Sequence, residues 1–381
     1  MVDGVSQMMD EAERREALLA HLVEAGYVRL EPPILQPASV FLDQSGEDIR
    51  GRLYLTSDAG GRDFCLRPEY TIPVFRDHLA SARAGEPAAY SYLGPVFRFR
   101  DHGAGEFVQA GLESFGRTDR EAADAEILTL ALEAAEAAAD RSFEVRTGDA
   151  GLFLRLLDAL ALPEAWARRV RRGHAQGLDL DAMLAVRSDG GFEHAGVLAA
   201  LENVDRREAR ALVEDLLAIA GIASVGGRSA AEIAERFLEQ ASMKGEAAIG
   251  HEQREALRRF LEVDGDPDAA SAALRALASE AGLDLDAALD SFDARLNFIA
   301  ARGLDLTRLS FSSRFGRRLD YYTGFVFEVL APGQAERLIV SGGRYDGLSR
   351  ALGAAQDIPA VGAAIWCERL FAGAERDGEP S

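Results

Sequence analysis

The sequence predicts an α+β fold, in which a mostly antiparallel sheet flanked by helices is interrupted by an all-helical insertion. Alternating strand patterns, separated by turn residues, occupy residues 1–148 and return in residues 305–381. Between them, residues 149–304 form helical segments with almost no strand pattern. We therefore expect 1–148 and 305–381 to be two parts of one domain that share a sheet, with 149–304 as a mainly helical excursion.

The first part contains one clear helix, an extended segment and two hairpins. Helical spacing over residues 8–25 ends at Gly26, and the adjacent Pro32 and Pro33 favour an edge or interface strand over a helix. Strand pairs separated by turn residues predict two hairpins, and an alanine-rich segment and an alternating segment predict a further helix and strand. In that order, these elements cover residues 53–67, 89–116, 120–140 and 142–148.

The helical block contains the one dense basic run, "ARRVRRG" at residues 167–173, which we interpret as a solvated helix face rather than a binding patch. After residue 305 the alternation returns in four segments. These read "RLSFSS", "FVFEVL", "ERLIVSGG" and "VGAAIWC". They supply the strands that would complete the sheet.

Composition narrows the class of protein. The chain has 381 residues, 48% of them hydrophobic, and its 42 basic and 63 acidic residues give a net charge of −21. Such a charge repels phosphate backbones at long range, so we expect no nucleic-acid partner, although an acidic protein can still carry a local basic groove.

Cys65 and Cys367 are too few for a disulfide scaffold, and their apolar settings predict buried free thiols. We expect no metal and no cofactor, because no cysteine–histidine cluster is present.

The N-terminus carries acidic residues where a secretory signal would be basic, and no segment reaches the roughly 20 apolar residues that span a bilayer. We therefore expect a cytoplasmic protein without a membrane partner.

Polar residues in the strand-rich parts have the chemistry that a buried free amino acid requires. An ammonium group needs carboxylates or amide oxygens, a carboxylate suits a guanidinium, and an imidazole needs partners at both nitrogens and an aromatic wall. Gln109 and Glu113 are four apart, so an extended strand would place them on one face. Taken singly, each residue is weak evidence, because a polar residue in a strand usually faces water, and that interpretation is the better one for any single residue. The segments concerned contain Glu69 and Thr71, Gln109 and Glu113, Arg317, Tyr321 and Tyr322, and Arg344, Tyr345 and Asp346.

Taken together, these segments resemble the histidyl-tRNA synthetases, a family of class II aminoacyl-tRNA synthetases. "GYVRLEPPIL" is similar to the dimer-forming first motif, "LRPEYT" to the substrate-amine loop, and "GPVFRFRDHGAGEFVQAGLESFG" to the second motif. "RRLDYYTGFVFE" resembles the histidine-specific signature, and "GGRYDGLSRALG" followed by "IPAVGAAIWCERL" the glycine-rich segment and third motif. The resemblance implies a class II synthetase fold over about 1–148 and 305–372.

The resemblance also implies site residues. Glu69, Thr71 and Gln109 would hold the histidine ammonium, and Arg317 its carboxylate. The ring would be surrounded by Glu113, Tyr322 and Tyr345, with Tyr321 beside them.

Four departures from the synthetase pattern affect the chemistry. The sequence ends soon after Leu370, so we expect no anticodon-binding domain, which would need on the order of 50–100 residues. Arg98 is kept, but Arg100 replaces the glutamate that would accept the adenine amine. The loop after Arg100 is short and has no further arginine to stabilise charge on a phosphate. Trp366 replaces a glycine where the nucleotide would lie, while Arg369 matches a nucleotide-binding arginine or forms an ion pair at a helix start.

An intact histidine pocket beside a degenerate ATP site resembles a second family, the regulatory subunits of ATP phosphoribosyltransferase. This resemblance implies a non-catalytic subunit, needed for the first step of L-histidine biosynthesis, that senses histidine for feedback inhibition. It also implies a short-form catalytic subunit as partner, L-histidine as ligand, and a homodimer within a hetero-oligomer. Two alternatives stay open: a truncated synthetase-like enzyme that activates histidine with ATP, and a synthetase fold used only as an interaction scaffold.

Overall fold

The computed structural model describes residues 2–44, 51–101, 103–185, 224–225, 228–229, 249–315 and 322–372. The chain divides into two compact units. The first comprises residues 1–155 and 260–381, and the second comprises residues 156–259. The segment 149–304 is therefore divided between the two units.

The first unit is built on a nine-stranded sheet and a smaller three-stranded sheet. The large sheet has the order β1-β5-β6-β14-β13-β12-β7-β11-β10, and the small one β2-β4-β3. The strands are β1 (Val28–Arg29), β2 (Leu35–Pro37), β3 (Leu55–Ser57), β4 (Asp63–Leu66), β5 (Ala88–Phe97), β6 (Glu106–Phe115), β7 (Glu144–Asp149), β10 (Asp264–Gly265), β11 (Leu309–Ser312), β12 (Phe325–Ala331), β13 (Gln334–Arg344) and β14 (Ala360–Trp366).

Antiparallel pairing dominates the large sheet. Only β1 with β5 and β11 with β7 pair in parallel among these described strands. Both predicted hairpins are confirmed, because β3 pairs with β4 and β5 pairs with β6 in antiparallel register. The edge strand predicted before the two prolines is also confirmed, since β1 ends the sheet order.

The helices of the first unit lie on both faces of the sheet. They are α1 (Val2–Glu24), α2 (Ala38–Gln44), α3 (Thr71–Ala80), α4 (Arg120–Ala139), α5 (Ala150–Ala159), α9 (Pro267–Ala281), α10 (Asp286–Ala301), α11 (Leu348–Ala351) and α12 (Cys367–Phe371). The break after α1 occurs where Gly26 adopts a φ of 97°, a left-handed conformation that favours glycine. The α5 helix runs across the boundary between the units.

Each face of the sheet buries its own apolar cluster. On one face, α1 and α4 place Leu22 and Leu128 against Leu112 of β6 and Phe327 of β12. On the other face, Phe75 of α3 packs with aromatic side chains of the sheet, stacking on Phe115 at 4.3 Å between ring centroids. Since central strands are covered on both faces, neither face is open to water along its length. The predicted α+β class is confirmed.

Cys65 and Cys367 are both buried and unbonded, as expected. Burial raises the pKa of the Cys65 thiol to about 11. Both thiols are therefore neutral at physiological pH and serve as small apolar side chains.

The second unit contains helices α6 (Glu164–Ala175), α7 (Leu180–Leu184) and most of α8 (His251–Leu261), with a short pair of strands, β8 (Ser224–Val225) and β9 (Arg228–Ser229). The basic run lies on α6, where Arg169 donates to the carbonyl of Met183 at 2.6 Å and so ties α6 to α7. Arg171 and Arg172 are exposed. The helices predicted at 193–204, 207–221 and 230–240 lie outside the described residues.

Candidate ligand-binding site

Strand β6 carries the centre of the candidate site, and its alternation is visible in the two apolar clusters. Ala110 and Leu112 belong to the cluster on the α4 side, whereas Phe107 and Phe115 belong to the cluster on the α3 side. The odd-numbered positions Gln109 and Glu113 therefore share the α3 face. Both are almost completely buried, with 1% and 0% of their surface exposed.

Glu113 is held by hydroxyl groups. Thr71 Oγ1 donates to its Oε1 at 2.7 Å, and the Tyr345 hydroxyl donates to its Oε2. Burial raises the pKa of Glu113 to about 8, the two hydroxyl groups oppose that rise, and the nearby Glu69 carboxyl adds to it. The structure thus brings Glu113, Thr71 and Tyr345, which lie far apart in sequence, into direct contact.

Glu69 lies at the start of α3, where its carboxylate accepts hydrogen bonds from the backbone N–H groups of Thr71 at 2.6 Å and Ile72 at 3.0 Å. These are two of the first-turn N–H groups that a helix leaves without an internal partner. Burial raises the pKa of Glu69, against these bonds and the charge of Arg98. A cationic ligand would stabilise the ionised form of both buried carboxyl groups.

The side-chain amide of Gln109 is buried and makes no hydrogen bond to any residue that the structure describes. Among the described residues, neither Oε1 nor Nε2 of Gln109 accepts or donates a hydrogen bond. Leaving a buried polar group unsatisfied costs roughly 1–3 kcal/mol. A ligand that hydrogen-bonds this amide would recover that cost.

An aromatic wall adjoins the carboxyl pair. The rings of Tyr322 and Tyr345 meet edge to face, with 6.4 Å between centroids. Tyr345 is buried and Tyr322 is half-buried. Arg317 and Tyr321, the other two residues that the sequence placed here, lie outside the described residues.

Two glycines, which the sequence analysis did not single out, make room for the site. A Cβ on Gly362 of β14 would lie 1.6 Å from Glu113 Oε2, and a Cβ on Gly111 would lie 2.3 Å from the Tyr92 hydroxyl. Gly362 is the cross-strand neighbour of Glu113, and Gly111 is that of Tyr92. Glycine in a strand interior is a signal for close approach of another group, and this signal was available in "VQAGLES" and "AVGAAIW".

A cluster of arginines lies at the other end of the same face. Arg98 donates from Nε to the Pro68 carbonyl at 2.8 Å, and Arg100 lies over the Phe107 ring at 4.4 Å. Arg369 lies 5.6 Å from the Trp366 ring, and its pKa is lowered by burial and by the charge of Arg100.

Trp366 closes this end of the site. It is the cross-strand neighbour of Gln109, so its indole lies on the same face, where it is 8% exposed and packs in the α3-side cluster. The role predicted for Trp366, to fill the place of a nucleotide, stays a prediction.

Arg344 and Asp346, which the sequence grouped with the ligand-binding segments, belong instead to a buried ion-pair network. Arg344 binds Asp346 at 2.9 Å and Asp124 of α4 at 2.7 Å, and Arg295 of α10 links Asp124 to Asp149. Burial acts to lower the pKa of Arg295. The carboxylates of Asp149 and Asp124 more than offset this effect, so the pKa of Arg295 is raised. The network joins both helices to strands β7 and β13.

Neither a metal-binding cluster nor a membrane-spanning helix occurs in the parts of the chain that the structure describes. No group of three or more histidine, cysteine, aspartate or glutamate side chains could hold a metal ion. No helix within those ranges is long and apolar enough to cross a membrane.

Comparison with known proteins places this chain in a family. The histidyl-tRNA synthetase family model matches residues 5–226 and 208–370. A protein from Brucella anthropi, named ATP phosphoribosyltransferase regulatory subunit, is 42% identical over 348 residues, which cover 90% of this chain and 92% of that protein. A protein of the same name from Brucella canis is 42% identical over 353 residues, with the same coverage.

The chain belongs to the family of ATP phosphoribosyltransferase regulatory subunits, which share the histidyl-tRNA synthetase fold. Solved structures agree on the fold. An ATP phosphoribosyltransferase regulatory subunit/histidyl-tRNA synthetase from Bacillus halodurans superposes with a TM-score of 0.67 at 20% identity, covering 95% of this chain and 78% of that one. Histidyl-tRNA synthetase from a Nostoc species gives 0.63 at 17% identity, covering 94% and 70%.

Family membership confirms the resemblance that the sequence motifs predicted. It also gives a context for the two ends of the site: the carboxyl and tyrosine end keeps side chains that suit an amino acid, while the arginine end is filled by an indole. The roles of the individual residues remain predictions.

Proposed function

We propose that this chain is the regulatory subunit of an ATP phosphoribosyltransferase, the enzyme of the first step of L-histidine biosynthesis, and that it binds L-histidine without consuming it. The observation that carries the proposal is the pair of buried carboxyl groups, Glu69 and Glu113, beside the unpartnered amide of Gln109. Among the described residues, no cation contacts Glu113 and no group pairs with the Gln109 amide, which suits a small zwitterion with a second basic group.

The ligand would lie along β6. Its ammonium group would contact Glu69, Thr71 and Gln109, which relieves the cost of the unsatisfied amide. Its imidazole ring would lie between Glu113 and the tyrosines 322 and 345, where an acceptor and an aromatic wall are available. The resemblance to the synthetase family implies that Arg317 would bind the ligand carboxylate.

The chain would not adenylate histidine. Arg100 is a donor at the position where an adenine amine needs an acceptor, and its guanidinium lies on the Phe107 ring. Trp366 is buried on the face where the nucleotide would lie. A pocket that holds histidine without an adjoining nucleotide site can report the concentration of the amino acid but cannot activate it.

A specific observation favours one competing function. Arg98, Arg100 and Arg369 keep three cations near one another, as a phosphate-binding enzyme would require. Histidine-dependent exchange of pyrophosphate into ATP separates the two functions. We expect no exchange above the background without histidine, and robust exchange would identify a truncated synthetase-like enzyme instead.

The proposed partners are the short-form catalytic subunit and a second copy of this chain, in the cytoplasm. Exposed apolar side chains on β1 and β3 favour the second copy: Val28 and Leu55 are each 62% exposed, and β1 ends the large sheet. Regulation would require histidine to bind one state of the hetero-oligomer more tightly than another.

Isothermal calorimetry with L-histidine tests the binding role. Glu113→Ala should weaken binding by about a hundredfold, since a buried charged or strongly polar partner is worth roughly 2–3 kcal/mol. Glu106→Ala, an exposed change at the start of the same strand, should leave the Kd unchanged. Equal binding by the two variants, or no heat with the unaltered protein, would remove histidine as the ligand of this site.

A further inference from the structure

Glu113 is a buried carboxyl group whose hydrogen-bond partners among the described residues are hydroxyl groups. Its surface is completely buried, and the groups that hydrogen-bond it within the described ranges are hydroxyls: Thr71 at 2.7 Å, Tyr345, and with a smaller effect Tyr92. An ionised carboxylate in such a place needs a cation nearby, and none contacts Glu113 in the part of the chain that the structure describes.

The titratable groups around Glu113 come from three parts of the chain, in or next to α3, β5 and β13. They are Glu69 before α3, His78 within α3, Tyr90 and Tyr92 on β5, and Tyr345 after β13. Of these, the Glu69 carboxyl acts to raise the pKa of Glu113. The charge of Arg98 acts to lower the pKa of Glu69. His78 supplies no charge: its Nε2 accepts from the Gly85 N–H at 3.2 Å, its Nδ1 faces the Tyr90 hydroxyl at 3.2 Å, and burial lowers its pKa.

Building on the histidine-binding role proposed above, we propose that Glu113 carries a proton in the empty pocket and transfers it to the imidazole ring of the ligand on binding. The O–H bond of the Glu113 carboxyl breaks and an N–H bond forms on a neutral ring nitrogen. The products are a carboxylate and an imidazolium, so the charge of the complex is unchanged. The hydroxyls of Thr71 and Tyr345 already point at the two carboxylate oxygens and would stabilise the charge that forms.

This transfer sets a pH window for tight binding. The empty pocket is ready to give a proton below about pH 8, where Glu113 is neutral. Free histidine is ready to accept one above about pH 6.5, where its ring is neutral. Between these values the proton passes directly from protein to ligand. Above the window the complex must take a proton from solution, and below it the complex must release one.

The experiment compares the unaltered protein with Glu113→Gln, which keeps the shape of the side chain but has no proton to transfer. Deprotonation of the ligand's own ammonium group changes both association constants by the same factor, so it does not change their ratio. The ratio should be constant between pH 7 and 7.5 and about tenfold smaller at pH 9, where a group of pKa 8 is about nine-tenths ionised. A ratio that is constant to pH 9, or that rises with pH, would overturn the proposal.

A second measurement uses only the unaltered protein and so does not depend on whether the variant folds. Histidine labelled with ¹⁵N in the ring is bound at pH 8, where the free ring is neutral, and the nitrogen chemical shifts report its protons. Both nitrogens of the bound ring should carry a proton. A neutral bound ring refutes the transfer but leaves histidine binding intact, whereas absence of binding refutes the proposed ligand itself.

Discussion

Replacing Gly362 with alanine tests the geometry of the candidate site at its closest contact. The new Cβ would lie 1.6 Å from Glu113 Oε2, 2.5 Å from Glu113 Cδ and 2.8 Å from the Leu112 carbonyl oxygen. The carboxyl group would have to retreat by more than an ångström, because carbon–oxygen contacts in proteins are not shorter than about 3 Å. Gly362→Ala therefore displaces Glu113 without changing any polar group.

The magnitude follows from the bonds that would be lost. Glu113 accepts hydrogen bonds from Thr71 and Tyr345, and each such bond contributes roughly 1–1.5 kcal/mol. Losing both would cost about 2–3 kcal/mol, or roughly 30- to 150-fold in the Kd for histidine if the same carboxyl group receives the ring. The free energy of unfolding should fall by a similar amount, since Gly→Ala recovers only about 0.4–1 kcal/mol through the unfolded state.

Gly347→Ala is the matched control. Gly347 lies close to the same site, but the nearest atom to its Cβ would be Thr323 Cγ2 at 3.6 Å, and its φ of −69° suits any residue. Calorimetry with histidine and thermal unfolding should both distinguish the variants. If Gly362→Ala binds histidine within twofold of Gly347→Ala, Glu113 does not contact the ligand and the placement of the ring is wrong.

Three further predictions concern stability. Gln109→Met should raise the free energy of unfolding of the ligand-free protein by about 1 kcal/mol, because it removes a buried amide that no described residue satisfies. The same change should abolish the thermal stabilisation by histidine, and thermal scans with and without the ligand check both results. Arg295→Met should cost about 3–5 kcal/mol in urea unfolding by leaving buried Asp124 and Asp149 short of a cation, whereas Arg350→Met, in an exposed pair, should cost at most about 1 kcal/mol. Glu113→Gln should also flatten the pH dependence of unfolding, because the pKa of Glu113 is raised on folding: its contribution is complete below about pH 4.5 and is lost as pH rises through about 8. An unchanged slope of stability against pH between 5 and 8 would contradict this last prediction.

Local pattern was enough to predict the hairpins. In β5 and β6, alternating side chains surround a loop of glycine and polar residues, so the sequence itself specifies both the strands and the turn. By contrast, β10 consists of Asp264 and Gly265, which have no strand pattern. They are extended because β11, more than forty residues away in sequence, pairs with them. Pairing over that distance leaves no local signal.

The sequence predicted only part of the candidate site, because local pattern does not specify contacts between distant segments. Parity on β6 indicated that Gln109 and Glu113 share a face, which the two apolar clusters confirm. Alternation along a strand shows which side chains share a face, but it does not predict which of the two faces of the sheet that is. Arg344 was therefore grouped with the ligand, although it points to the α4 side and pairs with Asp124. The role of Gly362 required the coordinates, since it depends on where the Glu113 side chain lies.

The central claim is that this chain binds histidine in order to regulate another protein. The most direct test is the rate of phosphoribosyl transfer by the short catalytic subunit, measured alone, with this chain, and with this chain plus L-histidine. We expect a large gain in rate on adding the chain and a loss of that gain on adding histidine, with the loss weakened in Gly362→Ala. A rate that does not change when the chain is added would contradict the account.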